Sequence, residues 1–319
     1  MSALPLVAVG AVLGVVLFAQ VPWEGLWAAD LMNFAHGLAF AVVTLLLFRM
    51  LRGGPTRQSP ALPEYLVVVL IALALGTIVE LVQGRIGRDA SFDDLLRDAQ
   101  GSLAVVGFLM QLDPKLRGSK GRRRARHAGL LLGLTGTAML VWPLIVSGLA
   151  YRERDQNFPV LADFDRPFSS YFVHPLAGVK LQRTKLPPAL AGHAQDTYAL
   201  RVDTPAGSWW GLTLREPLPD WRRFERLAVT IANPSREALK IQLRLQDEDA
   251  RDRVDAVARF KTTLEVPPQS TSTCMVPLAS MTTNTEGARM DLAHVHSLML
   301  ARQGADGAAG FYLVRLWLE

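Results

Sequence analysis

Five apolar runs crowd the first 150 residues of this chain, and they limit its fold more than any other feature. They occupy residues 3–18, 34–48, 65–82, 95–112 and 129–150. A helix needs about 20 predominantly apolar residues to cross a bilayer core, and each run approaches that length. One such run could be a buried helix of a soluble protein. Five in succession point to an α-helical transmembrane bundle of five spans. The first run carries no charge and lacks a basic leader and a small-residue cleavage site, so it reads as a span, not a signal peptide. Only 20% of the chain is charged, against about 25% in an ordinary soluble protein. The single cysteine, Cys274, excludes an intramolecular disulfide and a cysteine-built zinc or iron–sulfur site.

Orientation follows from where lysine and arginine fall in the short loops. Residues 20–33 contain neither. Residues 51–63 contain Arg52 and Arg57, with Arg49 just before them. Residues 84–94 contain Arg85 and Arg88, offset by Asp89, Asp93 and Asp94. Residues 113–127 contain Lys115, Arg117, Lys120, Arg122, Arg123, Arg124 and Arg126. The second and fourth loops are therefore expected in the cytoplasm with the N-terminus, and everything after residue 150 outside it. The net charge of +5 and the pI of about 9.6 invite a nucleic-acid reading. The basic cluster abuts an apolar run, however, so its expected partner is the anionic surface of a lipid bilayer and not nucleic acid.

Beyond residue 151 the texture changes to short alternating runs between turn residues, the pattern of β-strands. Strands are expected at 198–203, 209–215, 227–232, 239–246, 257–264, 270–277, 295–301 and 311–318, after a poorly patterned connector at 151–194. Eight short strands in this length form an all-β jelly-roll sandwich. Trp209, Trp210, Trp221, Tyr312 and Trp317 are candidates for stacking on a sugar. Neighbours in a strand face opposite ways, so one of Trp209 and Trp210 belongs in the core. Trp221 and Trp317 are expected there too. Asp247, Glu248, Asp249, Asp252 and Asp255 form an acidic tip that could bind calcium through hard oxygen ligands. It lacks the spacing of a calcium loop, and Arg251 and Arg253 make a solvated turn the stronger reading. No cofactor is expected otherwise. His294 and His296 would share a strand face, but no serine–aspartate arrangement accompanies them, so whether the chain is an enzyme stays open.

The order of several pieces here resembles the galactose-binding-like jelly rolls, the fold of many carbohydrate-binding modules. They are Asp220-Trp221-Arg222-Arg223-Phe224, Asn233-Pro234, Arg259-Phe260, Val266-Pro267-Pro268, Val276-Pro277-Leu278, Met290-Asp291-Leu292 and Phe311-Tyr312-Leu313. The resemblance covers residues 195–319 and implies a sugar-binding or protein-binding module, since a fold alone does not settle function.

The chemistry-bearing residues gather in the apolar half. Glu80 and Gln83 lie one helical turn apart, as do Asp94 and Asp98, with Gly101 a turn further. His36 opens the second run. Ionisable groups at membrane depth are functional candidates by default. His36, Glu80, Asp94 and Asp98 can meet at one depth for acid/base work or to hold a divalent cation, while Arg85 and Arg88 bind a phosphate. Ser91 and Asp93 read instead as the cap and first turn of a helix.

Three blocks of this region resemble the VanZ-like family of small bacterial membrane proteins. They are Asn33-Phe34-Ala35-His36, Glu80-Leu81-Val82-Gln83-Gly84-Arg85, and Arg88 to Asp94 followed by Asp98-Ala99-Gln100-Gly101. The family's usual lysine is Asn33 here and its usual asparagine is Asp98, which removes one cation and adds one anion. The resemblance implies a four-span VanZ-like domain at 1–128, a fifth helix at 129–150, and a cell-envelope role. The family's named member is associated with resistance to glycopeptide antibiotics. The expected protein is thus a multi-pass protein of the bacterial cytoplasmic (inner) membrane with an extracytoplasmic, periplasmic sandwich. That sandwich would bind an envelope glycan or an envelope protein partner. The alternative is an enzyme or carrier acting on a lipid-linked or phosphorylated envelope precursor through the His36, Glu80 and Asp94 cluster.

Overall fold

The computed structural model describes residues 4–18, 25–52, 62–85, 92–113, 116, 120–191, 197–205, 207–218, 220–248, 260–281, 290–305 and 309–319. The chain divides into two compact units, Met1–Ser147 and Gly148–Glu319. The residues expected to matter at 88, 89, 91, 249, 251–253 and 255 lie outside the described residues.

The first unit is helical. Its helices are α1 (Leu4–Phe18), α2 (Leu26–Arg52), α3 (Leu62–Arg85), α4 (Phe92–Leu112) and the greater part of α5 (Lys120–Asn157). Each apolar run thus becomes a helix, but the five expected spans are reduced to three. Among the described residues only α2, α3 and α5 are long and apolar enough to cross a membrane. The α1 helix has 15 residues, about 22 Å at 1.5 Å per residue, short of the ~30 Å hydrocarbon core. The α4 helix opens with Asp93, Asp94, Arg97 and Asp98, so its apolar stretch is too brief. Large apolar side chains are exposed along α3 (Leu66, Leu70, Ile78, Leu81) and α5 (Leu131, Leu134, Trp142), as helices bathed in lipid require.

Small residues let the helices approach. A Cβ built on Gly101 of α4 would overlap the carbonyl oxygen of Gly37 on α2. Membrane helices associate through such close backbone contact and through polar bridges, because lipid offers no hydrophobic drive. Buried bridges among the described residues include Thr44 Oγ1 donating to Ser102 Oγ at 2.9 Å and Tyr65 Oη donating to Asp113 Oδ2 at 2.9 Å.

The second unit is a β-sandwich whose paired strands are all antiparallel. Its strands are β1 (Val160–Asp163), β2 (Val173–Leu176), β3 (Lys180–Lys185), β4 (Tyr198–Thr204), β5 (Gly207–Arg215), β6 (Arg226–Asn233), β7 (Leu239–Asp247), β8 (Phe260–Val266), β9 (Ser270–Pro277), β10 (Val295–Ala305) and β11 (Ala309–Leu318). One sheet runs β3-β4-β11-β6-β9, with β1 also on β11; the other runs β2-β5-β10-β7-β8. The segment 151–194, expected as a connector, supplies the last turns of α5, three strands and the short helix α6 (Pro188–Ala191). The core lies between the sheets and holds Trp210, Leu212, Leu214, Ile231, Leu243, Leu245, Leu300 and Phe311. A bulge in β11 between Leu313 and Arg315 shifts the alternation, so Phe311 and Leu313 point inward before it and Leu316 and Leu318 after it. Asn233 is fully buried at a corner, donating to the carbonyls of Glu237, Val266 and Pro267.

Candidate functional site

Two places bring chemistry-bearing side chains together, one in each unit. In the helical unit α2, α3 and α4 place His36, Glu80 and Asp94 so that one ligand atom from each lies within 4.8 Å of the others. His36 is 9% exposed and Asp98 is fully buried. His36 Nδ1 stands 3.4 Å from Asp98 Oδ1, an ion-pair distance. Neither that nitrogen nor either Asp98 oxygen has a hydrogen-bond partner among the described residues. The expected convergence of His36, Glu80, Asp94 and Asp98 is therefore present. Gln83 has another task. It is buried and donates through Nε2 to the carbonyl of Val16 at 3.2 Å, tying α3 to α1. Arg85 is exposed in the last turn of α3, and Arg88 lies outside the described residues.

In the sandwich, the two adjacent tryptophans part as strand geometry demands. Trp210 is 1% exposed and packs against Phe311 with ring centroids 5.5 Å apart, which removes it as a sugar platform. Trp209 is 38% exposed on the outer face of the five-stranded sheet. Its ring leans over Gly211: a Cβ placed there would lie 3.6 Å from Trp209 Cζ2. Trp221 is fully buried, and its Nε1 donates to the carbonyl of Leu218 at 2.7 Å. Trp317, expected in the core, is instead half-buried, with Arg315 over its ring at 5.2 Å. Tyr312 belongs to a separate cluster with Leu186 and Leu190.

The register identifies the neighbours of Trp209. Running across the sheet, Leu176, Gly211, Ala301, Gln242 and Thr263 form one row, and His174, Thr213, Met299, Arg244 and Lys261 the next. Gly211 and Ala301 lie between the tryptophan and the polar side chains of β7; both are buried, Ala301 fully, so only the tryptophan ring and the β7 side chains reach the surface there. Arg244 Nη2 donates to Gln242 Oε1 at 2.9 Å, and Ser297 Oγ donates to Gln246 Oε1 at 3.1 Å. None of these partners was named from the sequence. The period-two step from Trp209 to Gly211 and Thr213 was the available signal, but which strands flank β5 is not written locally.

Of the acidic tip, Asp247 is buried and accepts a hydrogen bond from the backbone N–H of Asp291 at 3.0 Å. Beside the tip the exposed His294 and Asp291 pair at 2.6 Å, so each favours the charged form of the other. Cys274 Sγ lies 3.9 Å from the carbonyl of Glu265, and burial pushes its thiol up.

His174, at the edge of the outer face, is held below its ordinary value of 6.5 by burial, with Arg215 adding to the effect and Glu216 opposing it. As pH falls, the unfolded chain therefore binds this proton before the folded one does. The stability that neutral His174 contributes is complete above 6.5 and is lost below it. Calorimetry should show the sandwich melting earlier as pH falls through that value, and His174→Gln should remove part of the slope. An unchanged slope would refute this account.

No family model matches the chain, and no curated protein matches it. Among solved structures, the second unit is similar to a family 11 carbohydrate-binding module from Clostridium thermocellum in complex with a mixed-linkage β-1,3-1,4 tetrasaccharide. That match has 16% identity and a TM-score of 0.36, covering 50% of this chain and 93% of that one. A second structure of a family 11 module, from a cellulosomal cellulase of the same organism, matches at 13% identity and a TM-score of 0.31, covering 46% and 85%. An exo-β-agarase matches at 14% identity and a TM-score of 0.40, covering 50% of this chain and 24% of that one. The VanZ-like resemblance rests on its motif residues alone. The chain joins an apolar helical region to an antiparallel two-sheet β-sandwich.

Proposed function

We infer that this is a membrane-anchored glycan-binding protein of the bacterial cell envelope, whose sandwich takes a polysaccharide on the outer face of its five-stranded sheet. The observation that carries this reading is the exposed Trp209 ring lying over Gly211, on the face that also carries the amide side chains of Gln242 and Gln246. A flat aromatic surface suits the C–H face of a sugar, and Gln242 and Gln246 offer donors and acceptors to its hydroxyls. Arg215, Arg244 and Lys261 on the same face outnumber Glu265, which pairs with Lys240 at 3.8 Å. That balance favours a polysaccharide carrying acidic groups.

The basic segment 113–127 immediately precedes the apolar stretch of α5, and the sandwich follows it. If that segment stays in the cytoplasm, the sandwich lies on the opposite side whether the chain crosses three times or five. With five crossings the other basic loop, 51–63, also falls in the cytoplasm; with three it does not.

The full chain in lipid nanodiscs should be retained by acidic polysaccharides on an array, less so at high salt. Trp209→Ala should weaken retention about tenfold or more, equivalent to about 1.4 kcal/mol. No retention on any glycan, or retention indifferent to Trp209→Ala, overturns the reading. A second reading is favoured by the His36–Asp98 pair: an enzyme or carrier acting on a lipid-linked envelope precursor through the helical cluster. It requires activity that survives Trp209→Ala and disappears in Glu80→Gln.

A further inference from the structure

We propose that His36 on α2, Glu80 on α3 and Asp94 on α4 hold a divalent transition-metal cation, with Asp98 orienting His36. The three donor atoms converge within 4.8 Å. Ligands of a tetrahedral zinc ion sit about 2.0–2.2 Å from the metal and hence about 3.4 Å from one another. Side-chain rotation of roughly 1 Å closes that gap without moving a helix. Three protein ligands leave a fourth position open.

The second observation is Asp98. It is fully buried, yet neither oxygen is hydrogen-bonded among the described residues. A buried carboxylate that accepts no hydrogen bond and has only an imidazole at ion-pair distance is costly, and it persists where positive charge compensates it. His36 Nδ1 stands 3.4 Å from its Oδ1 and also lacks a hydrogen bond among the described residues. Metal-bound histidines commonly give their other ring N–H to a carboxylate, which fixes the ring. Asp98 takes that place here and leaves the second ring nitrogen of His36 for the metal. Gly76 makes room on the third side, since a Cβ there would lie 2.6 Å from Asp98 Oδ2. One imidazole with carboxylates suits zinc or manganese better than a soft or an all-oxygen cation. The proposal is independent of the glycan reading and concerns the other unit.

The test uses the full chain in detergent, purified without chelator and carried in a His294→Ala background to remove the exposed His294–Asp291 pair as a competitor. Zinc chloride and manganese chloride are titrated by calorimetry, and retained metal is measured after gel filtration. About one equivalent should be retained by the parent chain. Glu80→Gln and Asp94→Asn should weaken binding at least ~100-fold, and Asp98→Asn about 10–100-fold. Asp93→Asn, exposed on the same turn as Asp94, should bind like the parent. Should Glu80→Gln fail to accumulate, the half-buried Asp94→Asn carries the test. A parent chain that retains neither metal, or an Asp94→Asn chain that binds as the parent does, overturns the proposal.

Discussion

Replacing Trp210 by alanine should destabilise the sandwich by about 3–5 kcal/mol, while the same change one residue earlier should leave its stability within about 0.5 kcal/mol. Trp210 on β5 packs against Phe311 on β11, so it joins one sheet to the other. Truncating a buried tryptophan typically costs about 3–5 kcal/mol, through lost burial and the cavity left behind. That is a large share of the roughly 5–15 kcal/mol that holds a domain together. Near-UV circular dichroism of the full chain during thermal unfolding separates the two variants. Loss of less than about 1 kcal/mol in Trp210→Ala would mean the two sheets do not close over it. The contrast matters because Trp209→Ala is the variant that tests glycan binding, and its effect must come from the surface.

Gly101→Ala should break the approach of α4 to α2. The added methyl would overlap the Gly37 carbonyl, and that atom is backbone, so a helix must move. Overpacking of this kind costs about 1–3 kcal/mol, more where no side chain can yield. His36 adjoins Gly37, and Asp98 precedes Gly101 by one turn, so the shift also parts the pair now at 3.4 Å. Thermal unfolding in detergent should show a lowered midpoint for Gly101→Ala. Gly14→Ala, with open space around its Cβ, should be neutral or stabilising by up to about 1 kcal/mol. Equal midpoints for the two variants would show that the crossing tolerates a methyl.

Where the sequence was legible, one physical pattern ran long enough to read. All eight strands expected from alternation correspond to β4–β11, because each buries one face in a shared core. β1, β2 and β3 were missed for the opposite reason. They are short, they border a single neighbour or branch off β11, and β2 carries Pro175, which suits an edge. The bulge after Leu313 is a phase error that alternation cannot announce. Among the helices, length and apolarity located each one, but charge near the start of α4 disqualified it as a span. The His36, Glu80, Asp94 and Asp98 cluster was readable because turn spacing fixes which residues share a helix face. The surroundings of Trp209 were not, because they depend on which strands become neighbours.

β11 comes last among the strands but sits centrally, flanked by β4 and β6 and also paired with β1. During synthesis, β4 and β6 are complete long before residues 309–318 leave the ribosome. Until then each offers a bare row of peptide groups, the kind of edge that recruits a wrong strand. The sandwich therefore closes only once residues 309–318 are available to pair with β4 and β6. A ribosome stalled before residue 309 leaves no smaller sandwich, only two unjoined parts of one sheet. Closure of the six-stranded sheet thus depends on β11, the strand that bridges β4 and β6.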